Sequence, residues 1–187
     1  MGRSCRRLML FLLVAGASVF LCTGCEHSEI PTDCHYAPES VLRFGEGGGS
    51  ERFRREGWSE TEKPFTWALG PRAKLKFKLP PGNRPLGLRM RLAGMNKPPE
   101  VPYQPVEVRV NGTTVAHWQV ALRADFTAVI PLHVVRKKPH LAIELRFPAA
   151  TSPKSLGLNA DSRLLAVSCF ELQISKATVI ADMWAAK

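Results

Sequence analysis

The chain has 187 residues, 45 % of them apolar and 22 % charged, which fits one compact domain with short appendages. That balance excludes a large multidomain enzyme, a disordered chain and a collagen-like or low-complexity repeat. Lys and Arg number 26 against 16 Asp and Glu, a formal charge of +10, which points to an anionic partner or surface without identifying it.

Residues 1–24 read as a secretory signal peptide: Arg3, Arg6 and Arg7 with no acid, then 17 uncharged residues from Leu8 to Gly24. A run of that length is at the lower edge of what crosses a hydrocarbon core of about 30 Å, so an uncleaved transmembrane anchor is the competing reading. The stretch Leu21-Cys22-Thr23-Gly24-Cys25 resembles the lipobox of bacterial lipoproteins, with Thr23 and Gly24 in place and Cys22 where Leu is usual. The resemblance implies lipidation at Cys25 and a domain exported and tethered to a bacterial membrane. Glu26 rather than Asp after that Cys favours the outer membrane, facing the periplasm. Removal of Arg3, Arg6 and Arg7 with the leader lowers the formal charge from +10 to +7, still basic.

Residues 25–40 read as the lipidated N-terminus and a polar spacer. With Cys5 and Cys22 in the leader, Cys34 and Cys169 are left either to form a disulfide, which export permits, or to stand as two buried thiols. His27, His35, His117, His133 and His140 are scattered without metal-ligand spacing, so no metal and no cofactor are expected.

The body, 41–175, reads as an antiparallel β-sandwich of the jelly-roll kind with eight or nine strands. Apolar residues recur at period two through Leu75, Phe77 and Leu79; Leu86, Leu88, Met90 and Leu92; Val106, Val108 and Val110; and Leu141, Ile143, Leu145 and Phe147. Pro80-Pro81-Gly82-Asn83, Pro98-Pro99 and 148–153 supply the breaks, and Asn111-Gly112 predicts a type I′ hairpin turn. In the final strand, Arg163 to Ser175, the apolar phase slips between Cys169 and Phe170, which predicts a β-bulge. The tail, 176–187, reads as a loose helix or an added edge strand.

Two surfaces emerge as candidates. Arg72 to Arg91 holds seven basic residues and no acid, and if the two strands it contains are neighbours, Lys74, Lys76, Lys78, Arg89 and Arg91 form a cationic plate for phospholipid, lipopolysaccharide or acidic polysaccharide. The competing reading is a solvated edge guarded by Lys. Trp58 and Trp118 supply flat rings on which a pyranose can stack, with packing in the core as the competing reading, and Glu62, Asp161 and Arg163 could shape the rim of such a pocket. Trp67, two residues after Phe65, is assigned to the core, and Asp161 with Arg163 has an alternative as an internal ion pair. Glu60, Glu62, Glu107, Asp125, Glu144 and Asp161 show no catalytic spacing, so no catalytic residue is assigned.

Gly57-Trp58-Ser59-Glu60-Thr61-Glu62 with Phe65-Thr66-Trp67-Ala68-Leu69-Gly70 resembles the opening of a β-sandwich module found after the membrane portion of bacterial glycosyltransferases and phosphoglycerol-transferase-like proteins. The segments Val108-Arg109-Val110-Asn111-Gly112, Val115-Ala116-His117-Trp118 and Phe147 through Leu164 are similar to its hairpin and its close, so the resemblance spans about 57–175. It implies a non-catalytic, glycan-associated accessory domain. The expected partners are an envelope glycan or glycolipid, the membrane through the lipid anchor, and in the alternative an envelope protein docked on the basic face; nucleic acid is not expected.

Overall fold

The computed structural model describes residues 34–80, 82–136 and 138–177. The leader, Cys25 and residues 178–187 of the tail lie outside the described residues. Among the described residues there are ten strands: β1 (Val41–Arg43), β2 (Trp58–Thr61), β3 (Thr66–Leu69), β4 (Arg72–Lys78), β5 (Leu86–Gly94), β6 (Gln104–Val110), β7 (Thr113–Val120), β8 (Ala124–Ile130), β9 (His140–Arg146) and β10 (Leu165–Lys176). One helical turn, α1 (Leu132–Val135), and a single 3₁₀ turn at Ser50–Arg52 complete the described elements. Among these residues no helix is long and apolar enough to cross a membrane.

The strands form two antiparallel sheets, one in the order β2-β3-β10-β5-β8 with β1 also on β10, the other β4-β9-β6-β7. This is the all-β, jelly-roll-like sandwich that the period-two pattern implies. Its core is that pattern turned inward: Leu75, Phe77, Leu88, Met90, Leu92, Val106, Val108, Val110, Leu141, Ile143, Leu145 and Phe147 are all buried. The core also reaches back into the stretch assigned to the spacer, because Cys34 and Tyr36 are buried. There the Lys78 amide donates to the Cys34 carbonyl at 2.8 Å and the Tyr36 amide to the Lys78 carbonyl at 3.1 Å.

Two local features of the sequence have their expected form. Asn111 (φ 47°) and Gly112 (φ 86°) make the tight turn that closes the β6–β7 hairpin, with Val110 paired to Thr113. The β10–β5 register shifts between Cys169 and Glu171, so Phe170 is the extra residue; Cys169 and Leu172 both reach the core on either side of it.

Both cysteines are free and buried, which corrects the disulfide reading. Cys34 sits beside the end of β4, whereas Cys169 lies opposite Leu92 well along β10. Roughly 15 Å of strand separates the two levels, beyond the reach of a disulfide. Burial drives the Cys169 thiol well above its ordinary value, a shift that nearby Arg54 opposes.

The basic plate is also corrected. Lys74, Lys76 and Lys78 lie on β4 and Arg89 and Arg91 on β5, strands of different sheets, so they share no face. Arg89 and Arg91 belong to a network with Asp125 and Glu171, in which Arg91 Nε donates to Asp125 Oδ1 at 2.8 Å. Asp125 is held below the usual carboxylate range by that hydrogen bond.

Candidate functional site

The two tryptophans proposed as sugar platforms close the sandwich at its opposite sides. Trp58, on β2 of one sheet, donates its indole N–H to the Lys74 carbonyl of β4 in the other at 2.8 Å and packs on buried Phe44 with centroids 5.3 Å apart. Trp118, on β7, donates to the Thr127 carbonyl of β8 at 3.1 Å and packs on Phe126 at 5.7 Å. In each pair an edge strand of one sheet is tied to an edge strand of the other. Gly57 makes the Trp58 side feasible: its φ is +82°, and a Cβ there would lie 2.0 Å from the Arg72 carbonyl oxygen. Trp67, assigned to the core, instead faces outward from β3 in a cluster with Phe65, which also packs on Phe170, while the Arg123 guanidinium lies 3.9 Å from the Phe170 centroid.

Asp161 and Arg163 take the ion-pair alternative. Arg163 Nη2 meets Asp161 Oδ2 at 2.6 Å, and the Arg163 amide donates to Asp161 Oδ1 at 2.9 Å, which pins the turn entering β10. The same guanidinium holds Asp161 below the usual carboxylate range. Glu62, exposed in the β2–β3 turn, contributes only at a distance, favouring the charged form of Arg163. Trp58, Glu62, Asp161 and Arg163 therefore do not converge on one pocket, and of the proposed ligand-binding residues only Trp118 lines the main concavity.

That concavity is a cleft of about 790 Å³ on the outer face of the β4-β9-β6-β7 sheet, toward the end where β4 begins and β9 ends. Its floor follows from strand register. Arg72 pairs with Arg146, Arg146 with Glu107, and Glu107 with His117, so four polar side chains from four strands form one row across the sheet. Gln119 pairs with Pro105 one step further along the same face. Tyr103, 38 % exposed, stands where the chain enters β6, and Pro71, Phe147 and Pro148 complete the apolar lining. Trp118 contributes little surface, being only 8 % exposed.

The row behind the floor orients it. Glu144 accepts from Arg146 Nε, a bond that lowers the carboxyl's pKa and raises that of the guanidinium. Glu56 Oε1 meets Arg72 Nε at 2.9 Å and Lys74 Nζ at 2.8 Å, and the Lys74 bond is the main cause of its lowered pKa. Glu107 accepts from the Thr114 hydroxyl at 2.7 Å. Arg72 and Arg146 thus stand directly opposite each other, a like-charge placement that is unfavourable unless carboxylates or a ligand balance it. Each has one carboxylate bonded at Nε, which leaves guanidinium N–H donors for a bound molecule.

The lining offers donors, acceptors and one exposed aromatic ring, with no thiol or aliphatic hydroxyl nucleophile and a single carboxylate. The lining holds one carboxylate, Glu107, and no carboxylate pair of the kind glycoside hydrolysis uses. Among the described residues no group of His, Cys, Asp and Glu could hold a metal ion. Sequence reasoning missed Tyr103, His117, Gln119 and Arg146 as site residues. Their signal was the polar half of the same alternation that revealed the core, read across strands whose order the sequence did not specify.

No protein-family model matches the chain, and no curated protein sequence does. Among solved structures, the CBM36-1 domain of a multidomain xylanase from the hindgut metagenome of Trinervitermes trinervoides is 14 % identical, with a TM-score of 0.46 over 75 % of this chain and 98 % of that one. A family 6 carbohydrate-binding module is 10 % identical, with a TM-score of 0.43 over 74 % and 94 %. A family 35 carbohydrate-binding module from an environmental isolate is 11 % identical, with a TM-score of 0.36 over 75 % and 88 %. The class defined by fold and cleft is a small antiparallel β-sandwich with a polar concave face.

Proposed function

We propose that the protein is a non-catalytic bacterial envelope lipoprotein, anchored through Cys25, whose sandwich binds a saccharide in the cleft on the β4-β9-β6-β7 face. The observation that carries this reading is the cross-strand row Arg72, Arg146, Glu107 and His117 beside the exposed Tyr103 ring. A sugar presents an apolar C–H face and a periphery of hydroxyls, which match an aromatic ring flanked by fixed donors and acceptors. Two arginines opposed across adjacent strands favour a saccharide that carries a carboxylate or another anionic group, because a carboxylate accepts two N–H bonds from one guanidinium.

The test is titration calorimetry of the chain from Cys25 onward, carrying Cys25→Ser, against neutral and uronate-containing oligosaccharides. Every described strand and core side chain lies within 34–177, so this form contains the whole sandwich. Saturable binding of an acidic oligosaccharide is expected, weakened about 10- to 100-fold by Tyr103→Ala and by Arg146→Ala with melting temperatures kept. Binding unaffected by both changes, or none across the panel, would overturn the reading.

A further inference from the structure

The end of the sandwich opposite the cleft carries a different surface. There β4 finishes, β5 and β9 begin, and β10 ends. Lys78, Arg84, Arg136, Lys138 and Lys176 are exposed at this end, with Lys76 one row further in. Among the described residues none of these six cations has a carboxylate within ion-pair distance, in contrast to Arg72, Lys74, Arg89, Arg91 and Arg146. Among the described residues the acid of this end is Glu39, whose Oε1 accepts from the Lys176 amide at 2.8 Å. Between Arg84, Lys138 and His140 opens a small, largely apolar slot of about 50 Å³, lined by Leu79, Leu86 and Leu141 among others.

We infer that this cationic end is a docking surface for the anionic headgroups of a phospholipid bilayer. Unpaired cations around an apolar recess complement a surface whose phosphates lie above methylenes, and long Lys and Arg stems can cover apolar surface while their heads meet the phosphates. Chain geometry gives the same orientation. Cys34 is bonded to Lys78 at this end, and the nine residues from Cys25 to Cys34 span at most about 30 Å when extended. An anchored Cys25, which is part of the function proposed for this chain, therefore keeps the cationic end near the bilayer and leaves the cleft pointing away from it.

Vesicle co-sedimentation of the unlipidated chain, Cys25→Ser without residues 1–24, tests the surface without the anchor. Binding is expected to vesicles of phosphatidylcholine with about 30 mol % phosphatidylglycerol, and not to pure phosphatidylcholine. It should be lost in 1 M NaCl, where the screening length falls to about 3 Å. Each basic residue near such a surface contributes about fivefold to partitioning, so Arg84→Gln with Lys138→Gln should weaken binding about 30-fold. Lys63→Gln with Lys154→Gln removes the same charge from exposed positions elsewhere on the domain and should change binding less than threefold. Equal losses in the two double variants, equal binding to both vesicle types, or no binding to either would overturn the proposal. The saccharide reading is tested on Tyr103 and Arg146, at the other end of the domain, so either proposal can fail while the other stands.

Discussion

Replacing Trp58 separates a clasp between sheets from a sugar platform. In Trp58→Phe the ring still rests on Phe44, but the donor to the Lys74 carbonyl is gone. That carbonyl keeps a second hydrogen bond, from the Arg55 amide at 2.9 Å, so no buried acceptor is orphaned. The cost is then one net hydrogen bond, about 1 kcal/mol. Trp58→Ala also removes the ring that covers Phe44, a large-to-small change worth about 3 kcal/mol, at the lower end of the range because Trp58 is only partly buried. With about 3 °C lost per kcal/mol for a domain of this size, the melting temperature should fall by about 3 °C in Trp58→Phe and about 9 °C in Trp58→Ala. Thermal unfolding followed by far-UV circular dichroism is the assay, and Trp118→Phe, which loses the bond to Thr127 on the opposite side, is the internal comparison. A Trp58→Ala protein that melts within about 1 °C of wild type while losing saccharide binding would refute the clasp and restore the indole as a ligand platform.

Asn111→Ala should destabilise by about 3 kcal/mol, since it removes the side-chain bonds to the Val134 carbonyl and from the Ala142 amide and places a Cβ residue without local polar support at positive φ. Asn111→Gly should recover about 1 kcal/mol of that by relieving the backbone alone, as urea denaturation will show. Deletion of Phe170 should retain the fold, read by dispersion of the amide NMR spectrum, because without the extra residue β10 alternates regularly, with Cys169, Leu172 and Ile174 still facing the core and still opposite Leu92, Met90 and Leu88; a collapsed spectrum would refute the bulge assignment. Glu56, Asp125, Glu144 and Asp161 all have lowered pKa values, so the stability they contribute is full above their ordinary values of 4.5 for Glu and 3.8 for Asp and is lost as pH falls through the lower folded values. The melting temperature should hold from pH 7 to about 5 and then drop, less steeply in Glu144→Gln; a drop already between pH 7 and 6 would assign the dependence to histidine instead.

Strands, turn and bulge were legible because each rests on local chemistry. Period-two burial placed Leu88, Met90 and Leu92 inside, positive φ required the Asn111-Gly112 pair, and the slip at Phe170 could be resolved only by an extra residue. Pairing of strands distant in sequence was not legible, and every error at the site traces to it. Consecutive strands such as β4 and β5 are easily taken for neighbours, yet they belong to opposite sheets, with β9 beside the first and β10 and β8 beside the second. Trp58 is read from its flat ring and Trp67 from its two-residue spacing to Phe65, and neither signal shows that β2 is an edge strand whose ring can reach the other sheet or that β3 turns Trp67 outward. Arg146 and His117 lie 29 residues apart in the sequence, and only the β6 pairings bring both beside Glu107.

The charge of β4 divides the molecule along its long axis. Its outward residues are Arg72, Lys74, Lys76 and Lys78, the same chemistry at every second position, and what differs is the supply of acid. Glu56 binds Arg72 and Lys74 together because the segment before β2 lies along the edge of β4, where the Lys74 amide donates to the Glu56 carbonyl at 3.0 Å and Gly57 permits the close approach. Further along, the edge is covered instead by Phe53, whose carbonyl takes the Lys76 amide at 2.9 Å, and by the stretch from Cys34 to Tyr36. Those covering residues bring no carboxylate to Lys76 or Lys78. Arg72 and Arg146 are therefore balanced by Glu56 and Glu144, whereas among the described residues Lys76 and Lys78 have no carboxylate partner, and exposed charge of that kind acts over a screening length of about 8 Å at physiological salt.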